Sequence, residues 1–256
     1  MSQFTGKSVI VTGATSGIGR ASALEFARRG AQVLLVGRSA EALREMTDDA
    51  SVAPGRVVAC EADITADGAA ERIVSTAVDA FGGIDVLVNA AGVIATGTIE
   101  ATEDAKWDAM MGVNVRAPFR LMRAAVPHLK ARKGTVVNVS SVNGLRAFAG
   151  VLAYNVSKAA MDHLTRCAAL EMAPFGVRVN CVNPGVTITN LHKRGGMDET
   201  AYAAFLQRSK ETHPLGRPGQ PEEVAAMIVF LASEEAAWMT GETIPVDGGR
   251  HLTCLR

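Results

Sequence analysis

The sequence is poor in aromatic residues, has no net charge and has no long apolar run. Aromatic residues make up 5% of the 256 positions and apolar residues 48%, so branched aliphatic side chains and alanine must fill the core. Basic and acidic residues number 26 each, without a long basic run, which argues against nucleic acid as a partner. No apolar stretch approaches the ~18 residues of a membrane span, so no membrane partner is expected.

The four cysteines are scattered without the spacing of metal ligands, and no metal site is predicted. They are Cys60, Cys167, Cys181 and Cys254. Three of them lie in apolar strand or helix patterns, where buried free thiols are common. The N-terminal residues lack the apolar core of a signal peptide, and the first strand begins almost immediately. A reducing, cytoplasmic location is the simplest interpretation.

Short apolar runs recur along the chain, with helical stretches between most of them. Continuous apolar runs are typical of strands that are covered on both faces. The alternation predicts an α/β fold with a parallel sheet and right-handed crossovers, and no linker or repeat divides residues 1–256 into more than one domain. After a first run that ends at Thr12, strands are predicted at Gln32–Val36, Arg56–Cys60, Ile84–Asn89, Gly134–Ser140, Val177–Val182 and Thr243–Val246.

A glycine-rich turn separates the first strand from the first helix. Glycines stand at 13, 17 and 19, and a helical pattern starts near Gly17. Glycine lets the backbone approach a pyrophosphate closely, and the N-terminus of a helix offers unpaired N–H groups with a partial positive charge. Strand, turn and helix in this order predict a dinucleotide-binding turn.

Tyr154 and Lys158 are four residues apart and so lie one above the other on a helix. A free tyrosine phenol ionises near pH ~10, and a fixed ammonium ion beside it favours the phenolate. We therefore expect Lys158 to lower the pKa of Tyr154 towards useful acid–base chemistry. Ser141 ends an apolar strand upstream, and Ser140 is expected to point to the opposite face if that strand continues.

Several separated motifs together resemble the short-chain dehydrogenase/reductase family over nearly the whole chain. The resemblance rests on Thr12-Gly13-xxx-Gly17-x-Gly19, Asn89-Ala90-Ala91-Gly92, Asn114, Ser141, Tyr154, Lys158 and Asn183-Pro184-Gly185. Ala90 departs from the family, since many members carry a second Asn there. The resemblance implies a Rossmann-like, doubly wound parallel sheet of seven strands with helices on both faces, a nicotinamide cofactor, and hydride transfer between a ketone or other carbonyl and a secondary alcohol.

The resemblance also implies a role for each catalytic position. Tyr154 would be the general acid or base, Lys158 would lower its pKa and bind the nicotinamide ribose, and Ser141 would polarise the substrate oxygen. Asn114 would belong to a proton relay. The residues implied to bind the cofactor are Gly13, Thr15, Ser16, Gly17, Ile18, Gly19, Asp63, Ile64, Asn89, Gly92, Tyr154, Lys158, Pro184, Gly185, Thr187 and Thr189, together with Arg38.

Asn114 also carries a physical argument of its own. It lies in a helical pattern from about Thr102 to Lys130, and its carbonyl would normally accept from the N–H of residue 118. That residue is Pro118, which has no N–H, so the helix should bend and the Asn114 carbonyl should be left free to hold a water. A packing asparagine beside an incidental proline is the alternative.

The choice between cofactors is predicted from the end of the second strand. Selecting NAD(H) usually requires a carboxylate at the position that Gly37 occupies, where it would accept from the adenosine ribose. Arg38 follows, and a guanidinium can bind a 2′-phosphate bidentately, while Ser39 can add a hydroxyl and cap the next helix. NADP(H) is therefore expected, and NAD(H) is the less favoured choice.

The substrate is a small carbonyl or alcohol compound that the sequence does not identify. In relatives the segment corresponding to about 186–218 caps the active site, and the pocket wall is expected to include Asn143, Leu145, Phe148 and Val186. That mixture suits a moderately apolar ketone. The run from His192 to Arg194 would either attract an acidic substrate or simply be solvated.

Three functions remain open from the sequence. A general carbonyl reductase is the first, a 3-oxoacyl-thioester reductase is the second, and a non-catalytic NADP(H) sensor on the same fold is the third. Arg132 and Lys133 are available to dock an acidic carrier protein, but Phe175 stands where bacterial carrier-protein reductases tend to have arginine. Relatives usually form homotetramers through two long helices, here about Glu103–Lys130 and Val151–Ala173, and through the C-terminal strand.

Overall fold

The computed structural model describes residues 3–48 and 56–253, and its centre is one seven-stranded parallel sheet. The spatial order of the strands is 3-2-1-4-5-6-7, and every neighbouring pair is parallel. The predicted Rossmann-like α/β fold is therefore confirmed. The strands are β1 (Ser8–Thr12), β2 (Gln32–Gly37), β3 (Val57–Glu61), β4 (Val86–Asn89), β5 (Thr135–Val139), β6 (Arg178–Pro184) and β7 (Thr243–Val246).

Helices cover both faces of this sheet. The α-helices of the described residues are α1 (Gly17–Arg28), α2 (Ala40–Asp48), α3 (Ala69–Phe81), α4 (Asp104–Met111), α5 (Ala117–Arg132), α6 (Val142–Leu145), α7 (Leu152–Met172), α8 (Leu191–Arg194), α9 (Glu199–Thr212) and α10 (Pro221–Ala232). Short 3₁₀ turns lie at Ala173–Phe175, Glu234–Ala236 and Arg250–Leu252. The connections between parallel strands pass through these helices, as a parallel sheet requires.

The core is divided by the sheet into two apolar layers. Successive side chains of a strand point to opposite faces, so Val9 and Val11 of β1 pack with α1, α2 and α10, whereas Ile10 packs with α3 and α5. Aliphatic side chains and alanine fill most of both layers, as the low aromatic content predicts. The main aromatic contribution is Phe26, which makes an edge-to-face contact with Phe4 at 5.0 Å between ring centroids.

The long helix predicted from Thr102 to Lys130 is interrupted. Between α4 and α5 the chain forms a π-helical segment at Gly112–Arg116, which contains Asn114. A π-turn adds one residue to the hydrogen-bonded ring, and such segments are frequent at functional sites. The irregularity expected from Pro118 is present, and it takes the form of this wider turn.

The described cysteines differ in their exposure. Cys60 and Cys181 are buried free thiols, as expected from their apolar strands. Cys167 is exposed, so the expectation of burial was wrong there, because its position on α7 faces away from the sheet. Cys254 lies outside the described residues. Within those residues, no helix combines the length and apolar character needed to cross a membrane.

Candidate active site

A cavity of about 740 Å³ opens at the carboxyl ends of the strands. The order of the sheet reverses between β1 and β4, so the following loops diverge there and leave a crevice, where ligands of open α/β sheets bind. The turn after β1, the ends of β2, β3 and β4, the segment after β5, helix α7 and the segment after β6 all line it.

Most of the residues predicted for the site line this one cavity. They are Gly13, Thr15, Ser16, Gly17, Ile18, Gly19, Arg38, Asp63, Ile64, Gly92, Ser141, Asn143, Phe148, Tyr154, Lys158, Pro184, Gly185, Val186, Thr187 and Thr189. Asn89, Asn114 and Leu145 are not among the lining residues. The structure therefore brings the glycine-rich turn and the Tyr154–Lys158 pair, which are far apart in sequence, to opposite ends of the same cavity.

The glycine-rich turn is shaped by close backbone contacts. Gly13 has φ +67°, and a Cβ there would lie 2.9 Å from the Cα of Ala91. A Cβ on Gly19 would overlap the carbonyl oxygen of Gly13. Helix α1 begins at Gly17 behind this turn, and its N-cap residue Ser16 caps no backbone N–H with its side chain. The first N–H groups of α1 therefore have no side-chain cap where the helix meets the cavity, which fits a pyrophosphate-binding cradle.

The ends of β2 and β3 carry the charged side chains expected to bind the adenosine part of the cofactor, Arg38 and Asp63. Arg38 is exposed after β2, and Ser39 caps α2 by accepting from the N–H of Ala42 at 3.2 Å. A Cβ on Gly37 would lie 2.7 Å from Cγ2 of Thr15, so this position has little space for a carboxylate side chain. The pKa of Asp63 is lowered, mainly because Thr65 donates to it from its hydroxyl and its backbone, and Arg38 adds to the effect.

Tyr154 and Lys158 are both 5% exposed, and burial dominates their chemistry. Burial raises the pKa of Tyr154 to about 12, while a hydrogen bond with Ser141 opposes the rise. Burial lowers the pKa of Lys158 to about 8, against the charges of Cys181 and Asp162. The expected lowering of the Tyr154 pKa is therefore absent here. The ammonium lies 5.6 Å from the phenol ring centroid and donates instead to the carbonyl of Val139 at 2.9 Å.

Ser141 does not lie within a strand, because β5 ends at Val139. It is the N-cap of α6, and its hydroxyl accepts from the N–H of Asn143 and donates to the Asn143 side chain, both at 3.2 Å. Asn143 in turn donates to Asn155 at 2.7 Å. Ser140 is also among the lining residues, and its hydroxyl donates to the Lys158 carbonyl at 3.0 Å.

Asn89 and Asn114 support the cavity wall from behind. Asn89 is 2% exposed and donates to the side chain of Asn138 at 2.8 Å, which places it inside the sheet. Asn114 is 1% exposed and pairs with both backbone groups of Val93 at 2.9 Å, while donating to Ser157 at 3.0 Å. Its side chain therefore fixes the loop after β4 against α7.

The capping segment contributes further lining residues, of which the sequence analysis had considered only His192. His192, Met197 and Phe205 line the cavity, and burial lowers the pKa of His192. The segment is tied back to the site, because the Tyr202 hydroxyl donates to the Thr189 carbonyl at 2.9 Å. No local pattern marks these side chains, since only the packing of α8 and α9 brings them to the cavity.

Arg250 is the lining residue least expected from its sequence position. It is 7% exposed, its guanidinium lies 4.9 Å from the ring centroid of Phe148, and it donates to the Thr212 carbonyl at 3.3 Å. It stands just after the last strand, where sequence patterns give no sign of a buried cation. Among residues 3–48 and 56–253, no group of His, Cys, Asp or Glu side chains is arranged to hold a metal ion.

The arrangement is able to hold an extended nucleotide and to exchange a proton at one end. The uncapped N-terminus of α1 suits phosphates, Arg38 suits an additional phosphate, and Tyr154 is the group that can exchange a proton with a ligand oxygen. Apolar side chains such as Ile94, Phe148 and Val186 line the cavity together with polar ones such as Asn143 and Arg250. Apolar walls with a limited number of placed polar groups are typical of a small-molecule site.

Comparisons with known proteins agree with this geometry. Residues 13–251 match a family model described as enoyl-(acyl carrier protein) reductase. The chain is 39% identical to 3-oxoacyl-[acyl-carrier-protein] reductase of Thermotoga maritima, covering 95% of this chain and 97% of that one. It is 37% identical to meso-2,3-butanediol dehydrogenase of Serratia marcescens, covering 96% and 95%.

A solved structure is similar over the same extent. It is a short-chain dehydrogenase/reductase of unknown function from Caenorhabditis elegans, determined with cofactor, with a TM-score of 0.92 and 37% sequence identity. The match covers 98% of this chain and 97% of that chain.

Gly13→Ala tests whether the close approach of the turn is needed for nucleotide binding. Gly13 and Gly68 share a positive φ, of +67° and +72°, but a Cβ on Gly68 would meet nothing within 4 Å. Both substitutions should cost about 1–2 kcal/mol of unfolding free energy from backbone strain alone. Only Gly13→Ala should also weaken NADPH binding, by about tenfold or more, in a fluorescence titration. Equal NADPH affinity in the two variants would contradict this account.

Proposed function

The chain belongs to the short-chain dehydrogenase/reductase family, and from this premise we propose that it is an NADP(H)-dependent oxidoreductase. It interconverts a ketone or other carbonyl and a secondary alcohol by hydride transfer. The observation that carries the proposal is that Ser141, Tyr154 and Lys158 line the same cavity as the glycine-rich turn. A protein that only bound a nucleotide would not need a buried phenol and a buried amine at the end of that cavity.

Each residue has a defined role in the proposed reaction. The nicotinamide, when bound, supplies or accepts the hydride. Tyr154 donates its proton to the carbonyl oxygen during reduction and removes the alcohol proton during oxidation. Ser141 donates to the same oxygen once its hydroxyl turns away from Asn143, since a hydroxyl has a single proton. Lys158 binds the nicotinamide ribose and keeps a positive charge beside the phenol.

The buried phenol holds its proton at neutral pH. Burial raises the pKa of Tyr154 to about 12, so the proton that reduction needs is present, but the phenol is a weak acid in this state. For efficient transfer in either direction its pKa must fall, which requires the ammonium of Lys158 to leave the Val139 carbonyl and approach the phenol. Asn114 is proposed to connect Lys158 to solvent through a water at its backbone carbonyl, which Pro118 cannot bind.

NADP(H) rather than NAD(H) is the proposed cofactor. Gly37 leaves the usual place of the ribose-binding carboxylate empty, and the contact with Thr15 leaves little space for a larger side chain. Arg38 and Ser39 both line the cavity beside it and offer a guanidinium and a hydroxyl to a 2′-phosphate. Asp63 is proposed to contact the adenine.

The proposed substrate is a moderately apolar ketone or the matching alcohol. Asn143, Phe148 and Val186 form part of the wall, as predicted for the substrate end, and Met197 and Phe205 add apolar surface from the capping segment. This apolar surface favours a substrate with an apolar body. We also propose that residues 1–256 form one domain, in which the segment of about 186–218 caps the substrate end of the cavity.

Reduction of a 3-oxoacyl thioester is the second candidate, supported by the relative from Thermotoga maritima. A carrier protein would need basic residues near the cavity mouth. Arg132 and Lys133 precede β5 and so lie at the amino ends of the strands, opposite the cavity, where Arg132 donates to the Gly82 carbonyl at 3.1 Å. Phe175 is covered by Lys130 at 3.4 Å from its ring centroid. These positions favour a free carbonyl compound, and the non-catalytic sensor is the third candidate.

A homotetramer in the cytoplasm completes the proposal. Large apolar side chains are exposed on the two helices expected to form the interface: Phe119 on α5 is 44% exposed, and Val156 and Leu170 on α7 are 41% and 80% exposed. Exposed apolar groups on neighbouring helices favour a protein interface. The three described cysteines are free thiols, which fits a reducing compartment.

Native mass spectrometry should give the mass of four chains, and a monomer would contradict the tetramer.

Tyr154→Phe tests the catalytic role directly. NADPH oxidation is measured at neutral pH with diketones, quinones, steroids and acyl thioesters. The variant loses one hydroxyl, so NADPH binding should stay within about threefold of the wild type while turnover falls by about 10³-fold or more. Turnover that survives in the variant would exclude Tyr154 as the acid. Tight NADPH binding without turnover of any compound would favour the sensor, and exclusive turnover of acyl thioesters would favour the second candidate.

Arg38→Ala tests the choice of cofactor. Loss of a charge-assisted hydrogen bond worth about 1.5–3 kcal/mol should raise the KM for NADPH by roughly 10–100-fold. The KM for NADH should change by less than about threefold, because NADH lacks the 2′-phosphate. Arg44→Ala removes an exposed arginine from α2 and serves as the control. A wild-type preference for NADH, or equal losses with both cofactors, would refute the role of Arg38.

A further inference from the structure

Behind the cavity, Asp162 is a buried carboxylate that the proposed mechanism does not use. It is 2% exposed and lies on α7 one helical turn beyond Lys158, which is itself one turn beyond Tyr154. Tyr154, Lys158 and Asp162 therefore form one row along the helix. A buried carboxylate is costly unless it is hydrogen-bonded or paired, so its surroundings indicate what it does.

The carboxylate connects the elements that carry the proposed catalytic residues. The Asn183 amide at the end of β6 donates to both Asp162 oxygens at 3.0 Å and to the Ser141 carbonyl at 2.9 Å. The Ser140 hydroxyl lies within hydrogen-bonding reach of Asp162 and of the Lys158 carbonyl. Asp162 thus ties together the end of β5, the end of β6 and the catalytic helix.

The close packing of α6 shows that this contact is specific. A Cβ on Gly144 would overlap Oδ2 of Asp162 and would lie 2.9 Å from the Lys158 carbonyl oxygen. Only glycine at 144 lets α6 lie directly against the carboxylate and the catalytic helix. The geometry therefore places the Asp162 carboxyl group and the backbone of Lys158 side by side against α6.

We propose that Asp162 is a positioning residue whose buried carboxylate is the counter-charge that keeps Lys158 an ammonium ion. The inference rests on the proposed role of Lys158, because a neutral amine would neither stabilise a phenolate nor hold its hydrogen bonds to the ribose in the same way. Asp162 is not among the residues that line the cavity, so its effect passes through Lys158.

The charged groups around the pair support this assignment. Burial lowers the pKa of Lys158 to about 8, and the two groups that oppose it are Cys181 and Asp162. Burial also raises the pKa of the Cys181 thiol, so Cys181 is neutral at physiological pH and offers no negative charge. Burial raises the pKa of Asp162 too, but hydrogen bonds from Ser140, Asn183 and Cys181 and the charge of Arg166 oppose the rise. Of these two groups, Asp162 is the one whose hydrogen bonds favour a charged form, and it lies one helical turn from Lys158.

Asp162→Asn and Cys181→Ala form a matched pair of tests. Both change one neighbour of Lys158 behind the cavity, but only the first removes a charge. The pKa of Lys158 is measured without cofactor or substrate, by acetic anhydride labelling from about pH 6 to about pH 10 and mass spectrometry of the Lys158 peptide. Asp162→Asn should lower this pKa by about one unit or more, and Cys181→Ala should leave it within a few tenths.

The outcomes separate this inference from the proposed function. An unchanged Lys158 pKa in folded Asp162→Asn, or a drop in Cys181→Ala instead, would overturn the assignment. If Asp162→Asn does not fold, carboxyl ¹³C NMR of the wild-type protein decides, because an Asp162 that is protonated at neutral pH supplies no charge. The labelling needs no turnover, so failure of the proposed reaction would leave its result unaffected.

Discussion

Removal of water from Tyr154 and Lys158 is the constraint on which the rest of the site depends. Both side chains project from α7 into the space where β5 and β6 end, and both are 5% exposed. An acid in such a place retains its proton and an amine tends to lose its own, so the pair cannot reach a useful state without neighbours. Two neighbours oppose these effects of burial: Ser141 lowers the pKa of Tyr154, and Asp162 raises the pKa of Lys158.

The sheet explains why a nucleotide end and a proton-transfer end share one cavity. All strands are parallel, so the loops that follow them all lie at the carboxyl ends of the strands. The strand order reverses beside β1, and the loops diverge there to leave a crevice. The turn at Gly13 then packs directly against the loop after β4 at Ala91. The Asn114 side chain fixes the continuation of the same loop at both backbone groups of Val93.

Much of the fold could be predicted from the sequence because the strands of a buried parallel sheet can be recognised from short apolar stretches. β1, β2 and β4 are nearly continuous apolar runs. β7 was predicted at its observed bounds, while β4 begins two residues later than expected, at Val86 rather than Ile84. The motif residues that face the cavity were also recognisable, since glycine spacing and the Tyr154–Lys158 pair are local features. The irregularity at Asn114 followed from Pro118, although the π-helical form did not.

The remainder of the site depends on packing between distant segments. Arg250 reaches the cavity only because the segment after β7 lies against Phe148, and His192 only because α8 packs on α9. The Tyr154 pKa was expected to fall from the spacing alone, and it rises because spacing contains no information about burial. Asp162 is similar: one acidic residue in a helix gives no sign that Asn183 and Gly144 will enclose it.

Transfer of deuterium tests the central claim most directly. NADPH deuterated at the transferable position of nicotinamide C4 is incubated with the protein and its best ketone, and the alcohol is analysed by mass spectrometry. The account predicts one deuterium on the carbinol carbon of the product, and the amount of this alcohol should be about 10³-fold lower in the Tyr154→Phe reaction. An alcohol whose carbinol hydrogen comes from solvent, or NADPH consumption without any alcohol, would contradict hydride transfer at this site.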